Sequence, residues 1–168
     1  MDRSEARLRA LIDANSKEQK LVEISALGQE AEVEDRLIKA RDDLLAASLM
    51  ESNGYFAWAV ACAYYAMYHA TLAALASVGY RAYTHCVAIE AFETIFTRRG
   101  RLPEDLKAKL GRVHQLKHDY VELIWDVKEA RERSQYEVYP TTSGDASSCI
   151  SNATEFVSTV EEHLTPID

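Results

Sequence analysis

The chain has 168 residues, of which 48% are apolar and 27% charged. Folding at that size buries roughly 70% of the unfolded surface, so no metal or disulfide staple is required, and wholesale disorder is excluded. Six Gly and three Pro are too few for a turn-dense sandwich or barrel, and a formal charge of −8 speaks against a nonspecific binder of nucleic-acid backbones.

Residues 4–14 form a short amphipathic helix with Leu8, Leu11 and Ile12 on one side. Residues 17–27 read as a second short helix through Leu21, Ile24 and Leu27, with Gly28 ending it. A long helix follows over 30–52, with Val33, Leu37, Ile38, Leu44, Leu45 and Leu49 near helical period. Its first turn carries Glu30, Glu32, Glu34 and Asp35, which suit the positive end of the helix dipole. Ser52-Asn53-Gly54 stops it.

The central helix runs from about Tyr55 to Val78, and Gly79 closes it. Residues 52–80 contain no Asp, Glu, Lys or Arg, a length sufficient to cross a bilayer. Yet the stretch is rich in Ala and Tyr, holds His69, and has few Leu or Ile residues. That composition suits a helix packed on all sides by other helices, and no membrane span is assigned. A helix over 83–98 follows, with Thr84 as N-cap and Val87, Ile89, Phe92, Ile95 and Phe96 apolar.

Pro103 then opens a helix over 103–134, bent near Gly111. After the loop Pro140–Asp145, a last helix covers 145–164. No segment alternates with period two, so the fold class is all-α: an antiparallel helical bundle over 30–168 with a short helical extension over 1–29. Cys62, Cys86 and Cys149 are odd in number and form no CxxC pair, and the charged N-terminus lacks an apolar leader; both point to a cytoplasmic protein with reduced thiols.

Specific residues carry a family likeness. Ala40-Arg41-Asp42-Asp43-Leu44-Leu45-Ala46-Ala47 leads into Asn53-Gly54-Tyr55-Phe56, then Ala61-Cys62-Ala63-Tyr64-Tyr65-Ala66-Met67-Tyr68-His69-Ala70, Gly79 and Thr84-His85. This resembles HEPN-domain proteins, in particular the small stand-alone branch with an AYYAMFHA core helix. Arg131-Glu132-Arg133-Ser134-Gln135-Tyr136 is similar to that branch's RxxADY segment, and Ala153-Thr154-Glu155-Phe156 to the start of its final helix. The likeness spans about residues 33–165; the first thirty residues and the length between Pro103 and Arg131 depart from it.

The resemblance implies an antiparallel four-helix bundle, usually a homodimer, linked to RNA. Many members are metal-independent endoribonucleases, and some are toxins paired with a nucleotidyltransferase-type antitoxin. Their motif is Arg, four to six residues, then His, with both copies lining one cleft. Other members lack the motif and act as binding modules. No cofactor is implied.

Metal-independent RNA cleavage needs a base for the 2′-hydroxyl, an acid for the leaving oxygen and a cation for the phosphorane. His and Arg meet those needs. By family position the Arg is Arg131, but Tyr136 stands where ribonucleases carry His, and a phenol is a poor base at neutral pH. The alternative role for this pair is capping and packing at a dimer seam.

By spacing, Arg112 and His118 also fit, followed by Asp119-Tyr120. Six residues apart on a straight helix, they point about 120° apart unless Gly111 bends the helix or a dimer joins them. Their alternative is a solvated basic face. His114 and His118 share a face but no third metal ligand accompanies them, so no metal is assigned.

His69 reads as a hydrogen-bonded buried histidine, and His85 as a capping or packing residue. Six of the nine tyrosines cluster around the central helix, serving as core, as seam or as a base-stacking ladder. The −8 is unevenly spread. Residues 119–168 hold eleven acidic and three basic residues, whereas 98–118 hold Arg98, Arg99, Arg101, Lys107, Lys109, Arg112 and Lys117 against Glu104 and Asp105. That basic strip is either an RNA contact or a solvated helix face.

Overall fold

The computed structural model describes residues 3–16, 20–97, 126–133 and 141–164. Among them run α1 (Arg3–Ser16), β1 (Leu21–Glu23), α2 (Ala26–Ser52), α3 (Phe56–Ser77), β2 (Tyr80–Ala82), α4 (His85–Phe92) and α6 (Ser143–Leu164). A π-helical turn, Glu93–Thr97, continues α4, and residues 126–133 form the helical segment α5. The fold is all-α, with one small two-stranded sheet.

α3 is the axis of the bundle. Alanine recurs along it at 59, 63, 66, 70 and 74, all fully buried, and meets fully buried Ala40 and Ala47 of α2 and Ala146 and Ala153 of α6. Such small side chains let helices approach closely, which is why both α2 and α6 pack on α3. Phe92 fills the space beyond, its ring 4.9 Å from Phe96 and 5.8 Å from Phe156. Each fully buried Phe contributes about 1.5–3 kcal/mol of apolar burial. α3 is long and apolar enough to span a bilayer, but 83% of its most apolar stretch is buried inside the protein.

The expected helix over 17–27 is not formed. Instead β1 pairs antiparallel with β2, Leu21 opposite Ala82 and Glu23 opposite Tyr80. Leu21 is fully buried, Val22 is half-buried and Glu23 is exposed, so the strand is anchored at its first residue. Nor does Gly28 end a helix: it sits in the first turn of α2, which begins at Ala26 rather than at residue 30. Gly79, with φ +89°, makes the turn from α3 into β2. Its carbonyl accepts the Ile24 amide at 2.9 Å, and a Cβ there would meet Gln29 Nε2 at 3.1 Å, so the α3 end and the sheet meet where only glycine fits.

Among the described residues, two helix starts are capped by side chains. Thr84 Oγ1 accepts the Val87 amide at 3.4 Å, which sets the first turn of α4. At α6, Thr142 Oγ1 accepts the Asp145 amide at 3.2 Å while Asp145 Oδ2 accepts the Thr142 amide at 2.8 Å, a reciprocal capping box. This box starts the helix at Ser143, two residues before the expected boundary.

Candidate functional site

Four elements bring their polar side chains together beside the alanine core. Tyr64 and Tyr68, one turn apart on α3, point the same way. His85 is the first residue of α4, held there by the Thr84 cap. Its imidazole stacks on Tyr68, with ring centroids 4.0 Å apart and planes 5° apart, and lies 5.4 Å from the Tyr64 ring at 11°. Tyr64 Oη and His85 Nδ1 share a hydrogen bond of 2.5 Å. The half-exposed Tyr65 meets both rings edge-on, at 5.7 Å from Tyr64 and 5.9 Å from His85.

Arg131 enters from α5. Its guanidinium carbon lies 5.0 Å from the Tyr64 ring centroid, a cation–π contact. Glu132 Oε1 lies 3.5 Å from Arg131 Nη2 and 2.6 Å from Lys128 Nζ, so one carboxylate serves two cations. Burial first, then the positive charges of Arg131 and Lys128, hold the His85 imidazole below its usual pKa. The positive end of α4 acts in the same direction. His85 is therefore neutral at pH 7, the state a general base requires.

A second pair flanks this cluster. His69 Nε2 lies 3.7 Å from Asp43 Oδ2 of α2. That is too long for a direct hydrogen bond. Among the described residues, neither that carboxylate oxygen nor His69 Nδ1 has a hydrogen-bond partner, so the buried, hydrogen-bonded histidine expected at this position is half-buried and not bonded. Burial, then Arg36, Lys39 and His85, push His69 down to about 4, while burial raises Asp43. Glu32 repeats the sharing seen at Glu132: it bonds Arg36 at 2.9 Å and Arg81 at 2.5 Å. Burial acts to raise its pKa, but the two guanidiniums hold it below the usual value.

Arg36 and Lys39 from α2 and Lys128 and Arg131 from α5 thus act electrostatically on two neutral imidazoles. An aromatic wall, a neutral imidazole and a guanidinium together can bind a phosphate ester and accept a proton from a hydroxyl beside it. Among the described residues, no group of three or more His, Cys, Asp or Glu side chains could hold a metal ion.

Of the residues singled out by sequence, Arg131 lies in this cluster. Arg98, Arg99, Arg101, Lys107, Lys109, Arg112, Lys117, His118 and Tyr136 lie outside the described residues, as does His114. The residue that motif spacing passed over is His85. A search for Arg and His along one helix cannot find a partner 46 positions away. The usable signal was Thr84-His85 in its family-typical place together with the Tyr64/Tyr68 repeat.

No curated protein matches the chain significantly. The model of the HEPN domain matches residues 33–163. That match takes in α3, His85 and Arg131 alike, and covers well over half of the sequence; the chain belongs to the HEPN-domain family.

Proposed function

We propose that the protein acts on RNA as a metal-independent endoribonuclease, of the toxin-like or defence-associated kind, with Arg131 and His85 at its working centre. The observation that carries this reading is that one ring, Tyr64, has the Arg131 guanidinium over its face and the His85 imidazole bonded to its hydroxyl. A phosphate held by Arg131 would bring the adjacent 2′-hydroxyl towards the imidazole. His85 takes that proton, the 2′-oxygen attacks phosphorus, and the products are a 2′,3′-cyclic phosphate and a 5′-hydroxyl. Proton donors for the leaving 5′-oxygen are Tyr136, five residues beyond Arg131, or His118, six residues beyond Arg112.

The basic strip at Arg98, Arg99, Arg101, Lys107, Lys109 and Lys117 supplies backbone contacts to the RNA. A homodimer joins two such centres in one cleft, and a nucleotidyltransferase-type protein neutralises the toxin. Residues 1–29 are an extension to the bundle over 30–168, tied to it through β1. Three free cysteines fit a reducing cytoplasm.

A second reading, a catalytically inert module that binds a partner protein or nucleotide, draws on the Arg131 side chain itself. It is only 17% exposed and lies close to Glu132, as a packing cation would. Growth arrest on expression and cleavage of total RNA separate the two. The ribonuclease reading expects both from the wild type and neither from Arg131→Ala or His85→Ala. Wild-type protein inert on total RNA would favour the module.

A further inference from the structure

We propose that Tyr64 is a positioning residue for His85: its hydroxyl accepts a hydrogen bond from Nδ1–H and so holds the imidazole in the tautomer whose Nε2 lone pair is free. The inference rests on the reading of His85 as the group that accepts the substrate proton.

The geometry narrows what Tyr64 can do. It is fully buried, its ring is covered on one face by Arg131, and its hydroxyl is 2.5 Å from Nδ1. Burial drives its pKa up, so the phenol is neutral at pH 7. A neutral oxygen at this position accepts from the imidazole without the strong rise in basicity that a carboxylate would impose. His85 therefore stays uncharged beside Arg131 and Lys128, yet keeps the same Nδ1–H donor after Nε2 has taken up a proton. The hydrogen bond survives the whole proton-transfer step.

Tyr68 completes the restraint. Stacked at 4.0 Å and 5°, it blocks the turn of the imidazole about χ2 that would exchange Nδ1 and Nε2. Such a turn must pass through orientations that drive the ring edge into the Tyr68 face. One tyrosine fixes which nitrogen is bonded and the other fixes the plane. With Nδ1 bonded to Tyr64, Nε2 is the imidazole nitrogen left for a ligand held by Arg131.

The test is nitrogen-15 NMR of the full chain labelled at histidine, with the His85 signals assigned by their loss in His85→Gln. In the wild type at pH 7.5, Nδ1 carries the proton and Nε2 is bare. In Tyr64→Phe, whose helix content and melting confirm the fold, that preference is lost and Nε2–H forms become populated. Cleavage of a mixed-sequence single-stranded RNA then falls about 10- to 100-fold in kcat, with KM within about twofold because Arg131 still holds the phosphate. Protonation of Nε2 in the wild type, or a Tyr64→Phe tautomer identical to the wild type, overturns the inference. The two claims fail separately. Undiminished cleavage by His85→Ala removes the catalytic reading of the site, whereas the tautomer result decides the role of Tyr64 with or without RNA.

Discussion

The two sides of α3 obey different physics. One side carries fully buried alanines against α2 and α6, with Phe92 and Phe156 filling the space beyond. Its cohesion is dispersion and apolar burial. The other carries Tyr64, Tyr68 and His69 against His85, Asp43 and Arg131, where rings stack on an imidazole and, among the described residues, Asp43 Oδ2 and His69 Nδ1 have no hydrogen-bond partner. The first side stabilises the fold. The second retains unsatisfied groups and depressed imidazole basicities, which a fold selected for stability alone would discard.

Phe156→Ala strikes the first side. It opens a cavity beside Phe92 and should cost about 3–5 kcal/mol, which lowers the melting midpoint by on the order of 10 °C. Conversely, it should leave the chemical shifts of His85 close to wild type. A variant that melts normally, or that shifts His85 as strongly as it destabilises, would erase the distinction between the two sides.

Acid strikes the second side. His69 is held down to about 4 and His85 is also lowered, whereas each would titrate near 6.5 in the unfolded chain. Below pH 6.5 the unfolded state therefore binds more protons than the folded one, and stability falls as pH drops through that window. Asp43, raised by burial, acts oppositely, between its ordinary value of 3.8 and its raised one. The His69 contribution is at most about 3 kcal/mol. Urea unfolding at pH 7 and pH 5 should show the loss in the wild type and a smaller one in His69→Asn, where His85 alone remains of the pair. An equal loss in both proteins would show that His69 is not held neutral.

The all-α class, the central position of α3 and the Thr84 cap were legible in the chain because each depends on local pattern: helical period, small residues and a capping hydroxyl before an apolar run. The strand at Leu21–Glu23 was not, since three residues carry no periodicity and their conformation is set by pairing with Tyr80–Ala82, about 60 positions away. The site divides the same way. Arg131 could be read from its family position, while its association with His85 depends on α3 placing Tyr64 between two elements distant in sequence.

The central claim is that Arg131 and His85 act on one phosphate as a unit, and a double-mutant cycle on RNA cleavage tests it most directly. Residues that act together are non-additive: once one is lost, removing the other costs little more. The account predicts that Arg131→Ala and His85→Ala each lower kcat/KM by about 100-fold or more, and that the double variant is no worse than the weaker single one by more than about threefold. Full activity in either single variant, or losses that multiply in the double, would contradict it.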